Sequence, residues 1–371
     1  MVSTCLYLEQ VLLASLNNFH VSNHCMQMEI VTLADYTTFR MGGRARLFSL
    51  SNREEVEEFF KENYEYVLIG SGSNILVDTK EFTIPFAKIS ASNITREKEG
   101  EREKESEGEG EDGDFCYLRV EAGKNWDEFV SYTVDKGLFG LELLSYVPGT
   151  VGASPVQNVG AYGTEVKDIL VAVTVYDVKN KAWRVFSNSE CEFAYRKSIF
   201  QEHKEYIIYD TLWKLSKVKK ENEREMYPSL ALYMKEHHLE ASLSSIRDAV
   251  IAVRRSKLPE IKEIPSVGSF FKNPVVSNEL AESLKIEFKD MVIFPVNASS
   301  VKLPAGFMIE HSCQEIFTYK NLALYEKNKL VMIHTTGLAT LAEVNEYTKL
   351  IQKKVQEVFG IEIQREPEII V

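Results

Sequence analysis

The chain has 371 residues, of which 44% are hydrophobic and 26% are charged. This length predicts two or three packed domains, and the composition excludes a disordered chain and a bundle of membrane helices. No apolar run approaches the ~20 residues that a membrane-spanning helix needs. The apolar stretch from Leu6 to Leu16 contains Glu9 and lacks the basic leader of a secretory signal. We therefore expect a cytoplasmic globular protein.

The net charge of −12 is concentrated in one segment of the chain. Residues 97–114 hold ten acidic and three basic residues, so this segment alone contributes −7. It has no apolar periodicity, which predicts a solvated, mobile loop over residues 95–114 between two strands. The rest of the chain is only mildly acidic, and its Lys and Arg residues form no basic stripe with interleaved aromatics. Nucleic-acid binding is therefore not expected.

The cysteine and histidine residues show no metal-binding spacing. The pair His237 and His238 is read as surface residues, and no CxxC pair occurs. We expect no structural metal and no disulfide framework, as in a reducing compartment. The five cysteines are widely scattered: Cys5, Cys25, Cys116, Cys191 and Cys313.

The first clear elements of the chain follow a patternless N-terminus. Residues 1–33 are predicted to be an extension, and Met26 or Met28 could serve as an internal start site. Ser51 and Asn52 precede a predicted, capped helix that begins at Arg53 with acids in its first turn. A buried strand at 66–69 then leads directly into Gly70-Ser71-Gly72-Ser73-Asn74.

Alternating strands and helices continue to about residue 218. A strand at 116–122 precedes a helix that begins near Asn125 and stops at Gly137. The segments 171–178 and 183–186 predict a β-hairpin. We place residues 34–218 in one domain on this pattern.

A charged linker near residue 219 marks the start of a second domain, residues 219–371. Helices are predicted at 229–236 and 243–255, and a last helix is predicted between Thr340 and Gly360. A short strand ends the chain. The last helix is predicted to bury one face, made of Val344, Tyr347, Ile351, Val355 and Val358.

Two glycine-rich tracts could hold phosphate groups. Gly70–Asn74 offers unhindered backbone N–H groups and small hydroxyls, although it is not a GxGxxG motif and no GxxxxGK[ST] occurs. The second tract, 147–163, contains Ser154, Gln157 and Asn158 among small residues. Two such loops in one domain favour a dinucleotide, while a pair of tight turns remains the alternative.

A third motif, Gly268–Pro274, places Ser269 between a glycine and two aromatic residues. The aromatic pair Phe270 and Phe271 is expected to form a water-excluding wall beside a proton donor. A turn residue bonded to the backbone is the alternative for Ser269. No GxSxG motif accompanies it, so a hydrolase triad has no support.

Taken in order, the motifs resemble those of the UDP-N-acetylenolpyruvoylglucosamine reductases, in the type I form with a tyrosine-bearing loop. The resemblance covers residues 36–371. It is carried by Thr37-Thr38-Phe39, GSGSN from Gly70, VPGTVGASPVQNVGAYG from Val147, YRKSIF from Tyr195, GSFFKNP from Gly268 and EPE from Glu366.

The resemblance implies an α+β fold with a vanillyl-alcohol-oxidase-like (PCMH-type) FAD-binding domain of two lobes and a C-terminal α+β substrate-binding domain. It also implies non-covalent FAD, NADPH as electron donor and a small-molecule substrate, the enolpyruvyl ether of UDP-N-acetylglucosamine. The cofactor-binding positions that it implies are Gly70, Ser71, Gly72, Ser73, Asn74, Gly149, Gly152, Ser154, Asn158, Gly160, Ala161 and Gly163.

The resemblance also assigns roles to side chains. Ser269 is similar to the family's proton donor, and Arg196 and Glu368 match the residues that stabilise the enol intermediate. We expect Glu368 to be buried and to have a raised pKa, because an ionised carboxylate would oppose the developing negative charge. The implied substrate-binding residues are Tyr195, Tyr227, Lys257, Asn273 and Asn328.

Two other functions remain open from the sequence. One is a flavoprotein oxidoreductase of the same fold with a different substrate. The other is a non-catalytic flavin-binding module, which would tolerate loss of Ser269.

Overall fold

The structure is a computed structural model that describes residues 26–97, 112–219 and 226–371. Three of the sequence predictions concern other residues: the stretch from Leu6 to Leu16, most of the acidic loop, and most of the linker after residue 219. No helix among the described residues is long and apolar enough to cross a membrane.

The described parts of the chain contain both helices and strands, with runs of strands between most of the helices. The α-helices are α1 Arg53–Glu62, α2 Trp126–Asp135, α3 Ile199–Glu202, α4 Pro228–Glu236, α5 Leu243–Lys257, α6 Asn278–Glu287, α7 Ala305–Ser312 and α8 Leu341–Phe359. The strands are β1 Gln27–Thr32, β2 Arg44–Leu50, β3 Val67–Leu68, β4 Ile75–Val77, β5 Phe86–Ile89, β6 Ile94–Arg96, β7 Phe115–Glu121, β8 Gly160–Ala161, β9 Thr164–Glu165, β10 Leu170–Asp177, β11 Ala182–Ser187, β12 Tyr206–Ser216, β13 Ser266–Ser269, β14 Val275–Ser277, β15 Phe294–Pro295, β16 Ser300–Lys302, β17 Thr318–Tyr319, β18 Leu322–Tyr325, β19 Asn328–His334 and β20 Glu368–Ile370.

The first lobe is a four-stranded sheet in the order β1-β2-β5-β3. Helix α1 begins as predicted, with the Asn52 side chain accepting a hydrogen bond from the Glu55 N–H at 2.9 Å. Strand β1 pairs antiparallel with β2, from Gln27 opposite Ser49 to Thr32 opposite Arg44. Residues 27–32 therefore belong to the fold, and the prediction of an extension up to residue 33 is wrong. The side chains of this edge strand are mostly exposed or half-buried, so backbone pairing holds it without an apolar pattern.

The second lobe is a five-stranded antiparallel sheet in the order β11-β10-β12-β7-β6. Helix α2 covers it and places Trp126 against Trp213 on β12, with ring centroids 5.5 Å apart. The predicted hairpin is formed by β10 and β11. Strands β6 and β7 are paired neighbours, so the acidic segment connects two antiparallel strands as predicted. It begins later than residue 95, because residues 95 and 96 belong to β6.

Helices α4 and α5 form a pair that packs on the second lobe. Their shared core, which includes Leu230 and Val250, contacts Leu143 and Tyr162. Arg247 on α5 forms a two-point ion pair with Asp127 on α2, at 2.7 and 2.9 Å. The domain boundary at residues 218/219 stays a prediction, and the packing of these two helices is with the lobe that precedes it.

The C-terminal part is built on a sheet in the order β13-β19-β18-β17, with α7 and α8 packed in the same core. Helix α8 starts at a capping box of Thr340 and Glu343 and ends at Gly360, whose φ is +67°. Its inward face is mostly as predicted, but Val358 is 45% exposed and Phe359 is buried instead. Phe359 follows Val355 by four positions, which is slightly more than one helical turn. Position 359 therefore continues the buried face of the helix, and position 358 does not.

The end of the chain returns to the first lobe. Strand β20 pairs in parallel with β4, with Glu368 opposite Ile75. Just before it, the Lys272 N–H donates to the Gln364 carbonyl at 2.8 Å and the Glu366 N–H donates to the Phe270 carbonyl at 2.9 Å. The last residues therefore bind both to the strand that follows the first glycine loop and to the segment that carries Ser269.

The two valines near the end of α8 allow a test of this packing. Val355→Ala should lower the free energy of unfolding by about 2 kcal/mol, because it removes two fully buried methyl groups and leaves a cavity. Val358→Ala, the same change on the exposed face, should change it by less than about 0.5 kcal/mol. Denaturant unfolding of both variants measures the difference, and equal effects would contradict the described orientation of the helix.

Candidate active site

The first glycine loop, Gly70–Asn74, joins β3 to β4. Gly72 has φ +66°, and a Cβ added there would lie 2.0 Å from the carbonyl oxygen of Tyr36. The Thr38 N–H donates to the Gly72 carbonyl at 3.1 Å. A side chain at Gly72 would therefore force the loop away from residues 36–38, because both the backbone conformation and the space require glycine.

The second glycine loop lies against the first. The Ser73 hydroxyl donates to the Pro148 carbonyl at 3.3 Å, and a Cβ added to Gly70 would lie 3.2 Å from Thr150 Oγ1. Gly152 packs so closely on β7's end that an added Cβ would be 2.4 Å from Ala122 Cβ. The structure thus brings together the two tracts that the sequence analysis treated as phosphate-compatible, with a close contact between Gly70 and Thr150.

Some of the predicted cofactor positions use their side chains to shape the second tract. Asn158 is buried, and its amide donates to Glu165 Oε2 at 2.9 Å and to the Ala194 carbonyl at 3.1 Å. The Ser154 hydroxyl is likewise buried and donates to the Val151 carbonyl at 2.8 Å. Gly160 and Ala161 form β8, which pairs with β9, and Gly163 has φ +83° at the turn between them. Direct contact of these residues with a cofactor stays a prediction.

A cavity of about 410 Å³ opens beside Gly70 and Ser71. It combines hydroxyls, an aromatic ring and three cationic side chains, and Lys88 Nζ lies 5.1 Å from the centre of the Tyr36 ring. Backbone N–H groups at glycines with cations nearby are the groups that bind pyrophosphate. The lining residues are Asp35, Tyr36, Thr37, Thr38, Arg40, Gly70, Ser71, Lys88, Ile261 and Lys262.

Arg196 lies between the second glycine tract and the C-terminal segment. Its Nε donates to Glu366 Oε1 at 3.1 Å and its Nη2 donates to the Gly160 carbonyl at 3.2 Å. Its backbone has φ +54°, an uncommon conformation for a residue other than glycine. The side chain is 22% exposed. A guanidinium in this position can meet negative charge that develops next to a bound cofactor.

Ser269 ends β13, and its neighbour Phe270 is paired through backbone hydrogen bonds with Leu330 and Glu366. Phe270 and Phe271 are fully buried in the core of the C-terminal part. Both rings pack inside this core, and their role as a water-excluding wall beside a proton donor stays a prediction. The aromatic pair therefore fixes the strand that carries Ser269.

The two carboxylates of the EPE motif lie in different environments. Glu368 is 53% exposed and contacts Lys204 Nζ through both oxygens, at 3.0 and 2.9 Å. The burial predicted for Glu368 is therefore wrong. Glu366 is 14% exposed, and burial raises its pKa, with Arg196 and Lys272 acting in the opposite direction. Residue 366 is covered because it pairs with Phe270 inside the C-terminal part, whereas residue 368 has already reached the first lobe.

Tyr195 and Lys302 form a second half-buried pair near Arg196. Lys302 Nζ lies 4.4 Å from the centre of the Tyr195 ring. Burial raises the pKa of Tyr195 and lowers the pKa of Lys302. Asn273 lies on the same side and accepts a hydrogen bond from the Ala305 N–H at the start of α7, at 3.0 Å. Lys302 was missed by the sequence analysis, since it lies in a segment with no recognisable motif.

The three other predicted substrate residues lie on separate elements. Tyr227 precedes α4, where its ring is perpendicular to Tyr162 at 5.5 Å and parallel to Phe294 at 6.3 Å. Lys257 is the exposed last residue of α5. Asn328 begins β19, and its Oδ1 accepts a hydrogen bond from the Leu330 N–H at 3.1 Å. No contact between these three residues is described.

Comparisons with known proteins agree with this architecture. A model described as an FAD binding domain matches residues 107–185, and a model of the UDP-N-acetylenolpyruvoylglucosamine reductase C-terminal domain matches residues 259–370. The crystal structure of the reductase from Thermus caldophilus aligns with 94% of this chain and 100% of its own, at a TM-score of 0.62 and 23% identity. The fold and site therefore define an FAD-dependent oxidoreductase, and the predicted fold class is confirmed.

Curated relatives that match nearly the whole chain identify the family. A UDP-N-acetylenolpyruvoylglucosamine reductase from Flavobacterium johnsoniae is 35% identical over 91% of this chain and 98% of its own. Those from Bdellovibrio bacteriovorus and Neisseria gonorrhoeae are 36% and 35% identical, over 82% and 90% of this chain and 87% and 95% of their own. This chain belongs to the UDP-N-acetylenolpyruvoylglucosamine reductase family.

The residues around the two loops fit FAD. The two glycine tracts lie against each other and form a cradle, in which positions 72 and 152 have no space for a Cβ, and the adjoining cavity supplies cations for an anionic dinucleotide. Gly70–Asn74 and Gly149–Gly152 would hold the pyrophosphate through their backbone, with Lys88 and Lys262 close to the same cavity.

Gly72→Ala tests this cradle. We expect FAD to bind about tenfold more weakly or worse, since the new Cβ would displace the loop from the Tyr36 carbonyl. The flavin absorbance per protein after purification, followed by titration with FAD, measures the loss. Gly113→Ala is the control, because nothing lies within 4 Å of a Cβ added there. Unchanged FAD affinity in the Gly72→Ala protein would argue against the cradle.

Proposed function

We propose that this chain reduces the enolpyruvyl ether of UDP-N-acetylglucosamine enolpyruvate to UDP-N-acetylmuramate, a step of peptidoglycan precursor synthesis, with NADPH as electron donor. The names of the relatives support the substrate, and the FAD-binding domain supports the redox chemistry. The observation that carries the proposal is the position of Arg196, held between the glycine tract at Gly160 and the C-terminal segment beside the Ser269 strand.

When bound, FAD would supply a hydride to C3 of the enolpyruvyl group. Negative charge then spreads from C2 of this group onto its carboxylate, and a cation must lie there to stabilise it. Arg196 offers a rigid, always charged fork that matches a carboxylate. Lys302 adds a second, partly buried cation beside Tyr195, where low solvent exposure strengthens its field.

Ser269 is the proposed proton donor to C2. Its hydroxyl is placed by a strand whose next two residues are buried core aromatics, so its position is set by rigid packing rather than by a mobile loop. The Glu368 carboxylate is proposed to act from the opposite side, where Lys204 pairs with it. A half-exposed, paired carboxylate orients groups by accepting hydrogen bonds and is not the buried acid that the sequence suggested.

The remaining residues are proposed to bind the UDP-sugar part. Tyr227 lies between Tyr162 and Phe294 and would cover the nucleotide. Lys257 offers an exposed cation for the diphosphate, and Tyr195, Asn273 and Asn328 offer hydrogen-bonding groups. We also propose that the protein acts in the cytoplasm, where this precursor chemistry takes place, and that it binds no nucleic acid.

Anaerobic absorbance of the FAD-loaded protein tests the proposal directly. NADPH should bleach the flavin band, and UDP-N-acetylglucosamine enolpyruvate should then restore it. Bleaching without recovery would leave a flavoprotein of this fold with a different substrate. Bound flavin that NADPH does not bleach would instead point to a non-catalytic module.

Ser269→Ala separates the two halves of the reaction. Bleaching by NADPH should continue at nearly the original rate, while reoxidation by the enolpyruvyl substrate should slow by about 100-fold or more, because only this half needs the proton donor. Stopped-flow traces measure both rates. Ser283→Ala, on the exposed face of α6, is the control, and equal slowing of both halves in the Ser269→Ala protein would reject the assigned role.

A further inference from the structure

The guanidinium of Arg196 is held by two contacts within the protein. Its Nε–H donates to Glu366 Oε1 at 3.1 Å, and one Nη2–H donates to the Gly160 carbonyl at 3.2 Å. An arginine has five N–H groups in a planar fork. These two contacts use two of the five N–H groups, and a guanidinium can bind a carboxylate through two others.

Glu366 is itself fixed by the strand that carries Ser269. Its backbone N–H donates to the Phe270 carbonyl at 2.9 Å, and the preceding residue, Arg365, is bridged to Phe271. The carboxylate is 14% exposed. It therefore joins a residue of the FAD-binding part, Arg196, to the segment of the C-terminal part that presents the proposed proton donor.

From this geometry we infer that Glu366 is a positioning residue for the reduction, which directs the guanidinium of Arg196 towards the carboxylate of the enolpyruvyl group. The inference rests on the proposed function. Glu366 contacts Arg196 and acts through it, so its contribution lies in the direction of the guanidinium and not in a proton transfer of its own.

The surroundings of Glu366 explain why the ionised form of this carboxylate depends on Arg196. Burial raises its pKa, whereas Arg196 first and then Lys272 lower it. An ion pair taken out of water gains little net stability, because desolvation offsets much of the attraction. The pair is therefore weak as a source of stability, and its fixed geometry is the property that catalysis can use.

Three substitutions at Glu366 separate the effect of the direction of the Arg196 guanidinium from the effect of the charge at residue 366. Glu366→Ala removes the acceptor and should slow flavin reoxidation by the enolpyruvyl substrate by about 10- to 100-fold, since misplacing a group by about 1 Å costs that much. Glu366→Asp keeps the charge but withdraws it by one methylene, so it should be slow as well. Glu366→Gln keeps an acceptor at the same reach and should recover most of the rate.

Stopped-flow measurement of both half-reactions gives the result, with FAD content and circular dichroism confirming that each variant is folded. Flavin bleaching by NADPH should stay within about twofold in all three variants. Glu362→Gln, an exposed glutamate four residues earlier, is the matched control. If Glu366→Ala does not fold, the reoxidation rates of Glu366→Asp and Glu366→Gln still test the inference.

Two results would overturn the inference. Reoxidation of Glu366→Asp at the wild-type rate would show that charge alone is needed, and wild-type rates in Glu366→Ala would show that Arg196 is aimed without Glu366. A wild-type protein that the UDP-sugar substrate does not reoxidise would instead reject the proposed function, whatever the behaviour of the variants.

Discussion

Backbone hydrogen bonds made by residues 364–370 fix the relation between the two halves of the site. Gln364 and Glu366 pair with the segment after Ser269, and Glu368 to Ile370 then pair with β4, directly after the first glycine loop. These bonds connect the first glycine loop of the proposed cofactor cradle to Ser269, the proposed proton donor, which lies more than 190 residues later in the chain. Each of them is short and directional, so the separation between cradle and donor is set by strand geometry.

The two halves contribute different kinds of atoms. The glycine tracts contribute backbone groups and close approach, which is why Gly72 and Gly152 leave no space for a Cβ. The C-terminal part contributes side chains, with Ser269 and Lys302 on strands and Glu366 on the returning segment. Arg196 joins the two through one contact on each side. The proposed roles in cofactor binding and in substrate chemistry therefore fall on separable sets of residues, which suits the two proposed half-reactions.

Local signals made part of this structure predictable from the sequence. Side-chain caps at Asn52, Asn125 and Thr340 set the helix starts, and the glycines mark conformations that few other residues adopt. Strand β1 and the burial of Glu366 carry no such signal. This edge strand is held mainly by backbone pairing, and which glutamate of EPE is covered depends on a neighbour almost 100 residues away. The roles of Ser269 and Arg196 came from family resemblance, because neither residue type in isolation indicates a site.

Charge distribution explains how an acidic protein can attract anionic ligands. The net charge is −12, but residues 97–114 hold −7 of it on a connection between two strands of the second lobe. The cavity beside Gly70 is instead lined by the cations Arg40, Lys88 and Lys262 and by one acid, Asp35. Two further cations, Arg196 and Lys302, lie beside Tyr195. At physiological ionic strength, exposed charges are screened beyond about 8 Å, so a ligand in the site responds to the cations within that distance. Partial burial of Arg196 and Lys302 increases this advantage, because charges shielded from water interact more strongly.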